Sequence, residues 1–291
     1  MNVARNLTAV SVAAAAGAAL GLIQVTVAEL MDITTLGADF GAGAERTQGV
    51  QVTLVAWYCA MAVPLAVAIA GARRELTGKA RAATVLAAAA GTLAAWPLVA
   101  GVSGTVMRDD TVPAVVTGVL LGTVAAAAVA AAPVIGKGLA AYVALLWAAA
   151  LAFTALVSNT TVYAGMVQPL GLDFLDSWIA PTLRDLPDNL DYHVPTMLPV
   201  AVALVLLSGV VGGVAARRTG GWTRSVAAGA AGPVLAAAVY RLPPDELSLW
   251  NESASVVMLV LAGCCLLIAA ATAAVFRRRT PDNDPAPKQP E

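Results

Sequence analysis

Charge in this chain is confined to narrow gaps between eight long uncharged intervals, at 6–28, 47–72, 82–107, 111–136, 138–172, 192–216, 225–240 and 253–276. A hydrocarbon core about 30 Å thick requires roughly 20 consecutive apolar residues per helix. Seven of the eight intervals meet that length. The interval 225–240 supplies 16 residues, or about 24 Å at 1.5 Å per residue. It reaches span length if the helix starts near Gly221 and Arg224 and Arg241 snorkel to opposite interfaces. Only 12% of the chain is charged and its mean hydropathy is +0.79, whereas a soluble domain averages about 25% charged residues. The pattern therefore predicts an all-α fold, a polytopic transmembrane helical bundle of eight spans. These fall at about 7–31, 49–72, 82–106, 112–136, 138–158, 195–216, 221–241 and 253–276, within one bundle domain covering 1–276.

The gaps alternate in sign. Those at 73–81, 137 and 217–224 are basic, as is the tail from 277, while those at 29–46, 108–110, 173–191 and 241–252 are mainly acidic. Thirteen of the 17 basic residues fall on one side, including the topology determinants Arg73, Arg74, Arg217, Arg218, Arg277, Arg278 and Arg279, and 14 of the 18 acidic residues fall on the other. Cytoplasmic loops are enriched in Lys and Arg, so both termini are expected to be cytoplasmic. A cleaved signal peptide would carry an apolar region of about 7–15 residues, shorter than the uncharged run 6–28, and that run is read as a retained span. Tyr142, Trp222 and Phe276 would mark the inner interface, and Tyr163, Tyr192, Tyr240 and Trp250 the outer one. Arginine outnumbers lysine 14 to 3 and the spans are rich in Ala, Val, Leu and Gly. That composition suits a GC-rich bacterial genome and hence a bacterial plasma membrane.

The two halves share a layout, with RRELTGKAR at 73–81 answered by RRTGGWTR at 217–224, and RDD at 108–110 answered by RLPPDE at 241–246. Tandem duplication of a four-helix unit would produce this, as a parallel repeat. So would any protein built from hairpins with basic inner loops. Lipid tails are as apolar as the side chains, so helices in a bilayer associate through close approach at small residues. Gly17 and Gly21, Gly118 and Gly122, and Gly209 and Gly213 each share a helix face and are the candidate packing positions. Pro64, Pro97 and Pro233 lie inside spans and should kink them.

The largest extramembrane feature is 159–194, an extracytoplasmic loop. Leu172, Leu175, Ile179, Leu183 and Leu186 recur there at helical spacing, which predicts an amphipathic helix on the outer surface, broken at Pro181. Asp188, Asp191 and His193 follow it. With Glu29 and Asp32 they form the candidate outer-face polar site. Their spacing matches no zinc pattern, and calcium needs six to eight arranged oxygens, so no metal is expected. Residues 277–291 carry RRR and then four prolines, as expected for a disordered cytoplasmic tail. Cys59, Cys264 and Cys265 all lie in spans, where thiols behave as small apolar groups.

Ionisable residues inside a membrane usually mark function. Here Glu29, at the outer end of the first span, is the sole candidate, and Gln24 lies deeper, where it could hydrogen-bond between helices. The hydroxyls of Tyr58, Thr84, Thr92, Ser103, Thr117 and Thr123 are scattered and expected to bond back to their own helices. No catalytic motif and no cofactor is indicated. The formal net charge of −1 disfavours nucleic acid. Three readings follow. The first is a noncatalytic structural, assembly or interaction subunit whose partners are the lipid bilayer and other membrane proteins. The second is the permease subunit of an ATP-driven transporter. The third is an outer-face enzyme acting on lipid-linked substrates through Glu29, Asp32, Asp39 or the Asp188, Asp191, His193 group.

Overall fold

A computed structural model describes residues 2–31, 33–38, 45–71, 78–156, 207–211, 214, 222–241 and 248–278. The helices run in the order α1 (Asn2–Leu30), α2 (Glu45–Gly71), α3 (Gly78–Thr92), α4 (Ala95–Val102), α5 (Thr105–Ala131), α6 (Pro133–Leu156), α7 (Trp222–Val239) and α8 (Ser248–Arg278). The amphipathic helix expected in 159–194, most of the span at 195–216 and the tail from 279 lie outside the described residues. So do Asp32, Asp39, Asp188, Asp191, His193, Gly213, Arg73, Arg74, Arg217, Arg218 and Arg279.

Five stretches among the described residues are long and apolar enough to cross a membrane: Ala4–Leu30, Gln51–Gly71, Gly78–Val102, Met107–Ala131 and Met258–Val275. Two shorter apolar helices, Pro133–Ala148 and Val226–Val239, accompany them. These are the features of a membrane protein. Large apolar side chains such as Leu7, Leu86, Leu120, Val124, Val260 and Leu267 are exposed on the outside of the bundle, which in a bilayer is the lipid-facing surface.

Helix α2 is the centre. Of the residues in its apolar window 89% are buried, against 28% in those of α1 and α8. A helix apolar on every face belongs in an interior, and α2 packs against α1, α3, α5, α6 and α7. Its closest neighbour is α5. A Cβ at Gly118 would strike the Ala56 carbonyl, and one at Gly122 would come within 2.6 Å of the Ala60 carbonyl. Both contacts advance four residues together, so the two helices run parallel. Pro64 contributes to this seam, because it removes the N–H that the Ala60 carbonyl would normally accept four residues later, and that carbonyl faces Gly122.

Parallel seams recur. Gly17 of α1 lies on Ala88 of α3, and Gly21 on Thr92 and Ala95. Gly138 of α6 lies on Ala228 of α7, and Gly232 of α7 receives the ring of Tyr142. The contact of α7 with α8 is antiparallel, with Gly229 on Ala269 and the Ser255 hydroxyl donating to the Ala237 carbonyl, and Gly209 rests on Cys265 and Ile268 of α8. Gly91, Gly136, Gly138, Gly229 and Gly232 belong to this packing although no four-residue glycine pair in the sequence identifies them.

The turns differ from the charge pattern in two places. The gap at 108–110 suggested an outer turn, yet Arg108, Asp109 and Asp110 are exposed residues within α5, and the chain turns at Ser103–Gly104. There the Gly104 carbonyl accepts the N–H groups of Met107 and Arg108, and carboxylates near a helix N-terminus oppose its positive end. Lys137 suggested the next inner turn. Instead α5 stops at Ala131, Ala132 is extended at φ −140°, ψ 89°, and α6 starts at Pro133. A proline disfavours helical backbone in the residue before it and suits the first position of a new helix. Pro97 also breaks a helix: the Leu93 carbonyl, which Pro97 cannot satisfy, accepts the Trp96 N–H at 3.0 Å, and the break at 93–94 separates α3 from α4. Pro64 and Pro233 remain inside continuous helices.

Two of the aromatic residues read as interface markers are buried within the bundle. Tyr142 and Tyr240 are 1% and 2% exposed. Tyr142 packs on Gly232, and its hydroxyl reaches Met258 Sδ at 4.0 Å. The missing side chain at Gly232 makes room for the ring between α6 and α7.

Candidate functional site: an aromatic cavity beside a three-helix bridge

Gln24 of α1 is 5% exposed and its amide ties three helices together. Nε2 donates to the Leu20 carbonyl of its own helix and to the Tyr58 carbonyl of α2, both at 3.2 Å. Oε1 accepts the indole N–H of Trp147, on α6, at 3.1 Å. A backbone carbonyl has two lone pairs, so Leu20 and Tyr58 can each accept this extra bond beside a helical one. Without a partner, a primary amide in an apolar interior costs several kcal/mol, on the order of 2–7; here both donors and the acceptor are used.

Around the bridge stand three rings. Tyr58 stacks on Trp147 with centroids 5.6 Å apart and planes 27° from parallel. Trp57 meets Tyr58 edge-on at 5.5 Å and 70°. Adjacent residues on one helix point about 100° apart, so Trp57 and Tyr58 present walls in different directions. Between them lies a cavity of about 30 Å³, lined by Ile33, Leu54, Trp57, Tyr58, Leu146, Trp147 and Ala150. Its walls are almost wholly apolar. Trp57 is 4% exposed, and among the described residues its buried indole N–H has no acceptor. Leaving such a donor unpaired costs about 1–3 kcal/mol.

One end of this region is closed by the segment after α1. Ile33 and Leu36 are buried. The Glu29 carboxylate accepts the Leu36 N–H at 3.1 Å, the Gln51 amide oxygen accepts the Thr35 N–H at 3.1 Å, and the Leu36 carbonyl accepts the Gly104 N–H at 2.9 Å. Of the candidate outer-face polar residues, only Glu29 lies within the described residues, and its carboxylate holds backbone. Elsewhere the hydroxyls of Thr84, Thr92, Thr117 and Thr123 bond to carbonyls three or four residues earlier in their own helices. Ser103 differs, pairing with Thr111 at 2.9 Å across the α4–α5 elbow.

Among the described residues, no group of three or more His, Cys, Asp or Glu side chains is placed to hold a metal ion. Cys59 and Cys265 are buried and Cys264 is exposed, all three as free thiols. The sequence pointed to Gln24 but not to Trp57 or Trp147. Their signal was their position: both indoles sit well inside uncharged intervals rather than at the ends where interfacial tryptophans belong. The chain matches no protein-family model, and no similar curated protein or solved structure was found.

Proposed function

We propose that this protein is a noncatalytic, multi-pass subunit of a bacterial plasma-membrane complex, with eight spans and both termini in the cytoplasm. The observation that carries the reading is how the buried polar groups are used. The Gln24 amide joins α1, α2 and α6, Glu29 and Gln51 hold backbone, and the buried hydroxyls of Thr84 and Thr92 bond to their own helices. Carriers and pumps mark their ion routes with intramembrane charge; in this bundle polar chemistry is directed to cohesion. The acidic outer gaps and basic inner gaps supply the surfaces for partner proteins.

Duplication of a four-span unit belongs to the same proposal. The first and third spans of each half, α1 with α3 and α6 with α7, make parallel seams at small residues, and α2 with α5 does so for the second and fourth spans of the first half.

The test uses the full chain. Purified from its native membrane in mild detergent, it should bring partner subunits with it, and its deletion should destabilise their complex. Reconstituted alone in proteoliposomes, it should show no solute flux. Robust flux from the chain alone would overturn the proposal, as would cysteine labelling that places residues 76 and 246 on the same side of the membrane.

A further inference from the structure

We infer that the corner where α2, α3, α5 and α6 meet at the basic end of the bundle binds the phosphate of an anionic phospholipid, held by Arg81 with Lys137 beside it. A pocket opens there between Ala68 and Gly71 of α2, Arg81 and Thr84 of α3, Ala130 of α5 and Pro133 at the start of α6. Its depth is that of lipid headgroups. Gly71 ends one apolar stretch, Ala130 is one residue from the end of another, Pro133 starts a third, and Arg81 is three residues inside a fourth. Basic pockets between helices at a membrane face are the places that hold anionic headgroups.

The charge at this corner has too little acid to balance it. Arg81 and Lys137 are exposed, and among the described residues neither has a hydrogen bond or an ion pair. Residues 72–81 carry Arg73, Arg74, Lys79 and Arg81 against Glu75 alone, so any pairing by that one acid leaves an excess of cations. The helix ends do not alter this: α5 stops at Ala131 and α6 starts at Pro133, so the negative end of one macrodipole meets the positive end of the other. Lys137 follows Pro133 by four residues and shares its face of α6. Helical side chains lean toward the N-terminus, which carries the Lys137 stem back toward Pro133 and the pocket. The Thr84 hydroxyl is already donated to the Ala80 carbonyl at 2.7 Å, which leaves Arg81 as the lining side chain with donors to offer.

These features select a compact anion with an apolar remainder. A guanidinium presents parallel N–H donors that match two oxygens of a phosphate. The pocket holds about 50 Å³, and a water-sized group occupies roughly 10–15 Å³ of such a volume. It therefore takes the unesterified oxygens of one phosphate and leaves the rest of the headgroup in the interface. Leu86 of α3 and Val124 of α5, 65% and 72% exposed and deeper in the membrane, offer apolar surface to the acyl chains. A zwitterionic phospholipid brings its own ammonium, so a net-negative one matches the corner better. The inference rests on the proposed orientation for its leaflet alone: labelling at 76 and 246 decides the leaflet, and lipid retention decides the site.

The experiment releases the full-length protein from nanodiscs of equal phosphatidylglycerol and phosphatidylethanolamine and counts retained lipid by native mass spectrometry. Phosphatidylglycerol should be retained in preference. Each Lys or Arg near an anionic surface contributes roughly fivefold to binding, so Arg81→Gln should lower that retention about fivefold and its combination with Lys137→Gln about 25-fold. Lys79→Gln removes a charge from the same end without touching the pocket lining, and should leave the preference near the parent's. Gly71→Leu should abolish it: Gly71 lines the pocket and a Cβ there meets nothing within 4 Å, so the larger side chain enters the space without striking the fold. Elution and helicity check that each variant is folded. Equal retention of the two lipids overturns the inference, as does parent-like retention in Arg81→Gln or Gly71→Leu. Equal losses in Lys79→Gln and Arg81→Gln would also overturn it, by reducing the effect to surface charge. So would displacement of the lipid by millimolar inorganic phosphate, by assigning the pocket to the free anion.

Discussion

Replacing Gln24 by leucine tests the central bridge, and its cost follows from the contacts. Leucine nearly preserves the volume but removes two interhelical hydrogen bonds, to the Tyr58 carbonyl and from the Trp147 N–H. Interhelical hydrogen bonds in membrane proteins average about 0.6 kcal/mol by double-mutant cycle, so the pair contributes roughly 1.2 kcal/mol. The greater cost falls on one partner. The Tyr58 carbonyl lies within a helix and keeps that context, whereas the Trp147 N–H has lost its acceptor, at about 1–3 kcal/mol. The bond to Leu20 adds little, because that carbonyl is also within a helix. No compensating hydrophobic gain arises, since the unfolded reference is already in lipid. The expected loss is therefore about 2–4 kcal/mol, read from reversible SDS-driven unfolding in mixed micelles followed by circular dichroism. Trp147→Phe retains the stacking on Tyr58, and the cycle with Gln24→Leu isolates the bridge; its coupling should fall between about 0.6 and 1.7 kcal/mol. A coupling indistinguishable from zero, or a Gln24→Leu protein as stable as the parent, would refute the reasoning.

Three further outcomes follow from the packing. Gly122→Ala drives a methyl to within 2.6 Å of the Ala60 carbonyl, on backbone that cannot swing away, whereas Gly71→Ala meets nothing within 4 Å; the first should lose at least about 1–3 kcal/mol to overpacking and the second should be neutral or slightly stabilising in the same assay. Gly232→Ala should be similarly damaging, because the added methyl meets the Tyr142 ring, and Tyr142→Leu should recover part of the loss. Glu29→Ala removes the acceptor of the Leu36 N–H and should raise hydrogen exchange across 33–38, while Glu29→Gln, which keeps an acceptor oxygen, should leave exchange near the parent level.

Helical class and membrane residence were legible because they depend on long-range composition: uncharged runs of bilayer length leave few other solutions. Turn positions were less legible because a charge marks the depth at which a chain meets water, not the residue at which it reverses. Arg108, Asp109 and Asp110 ride on the first turns of α5, and Lys137 sits one turn inside α6. Pro133 was the better signal for the reversal, since it acts directly on the backbone of Ala132. The burial of Tyr142 makes a related point: sequence shows that a ring lies near a span's end, but not that Gly232 opposite leaves room for it between helices. Gln24 was legible as an isolated amide in an apolar run, which has to find partners; that Trp147, 123 residues away, would be one of them is a property of helix arrangement alone.

The position of the cavity follows from how α2 is held on its different sides. Toward α5 its neighbours are glycines, and the backbones approach until carbonyls meet Cα atoms at Gly118 and Gly122. Such a seam leaves no void. Toward α6 the facing residues include Tyr58 and Trp147, with Trp57 beside them, and large planar rings set at 27° and 70° cannot interdigitate as alanine and glycine do. The polar bridge through Gln24 compensates for the weaker packing there by fixing α1, α2 and α6 at one level. A hydrogen bond fixes a separation without filling the space around it. The void therefore appears where the small-residue seam gives way to an aromatic one, bordered by the indole of Trp57. Mobility should divide along the same line. Faster exchange belongs on the α1–α2–α6 side, and the α2–α5 seam should exchange most slowly as the rigid reference of the bundle.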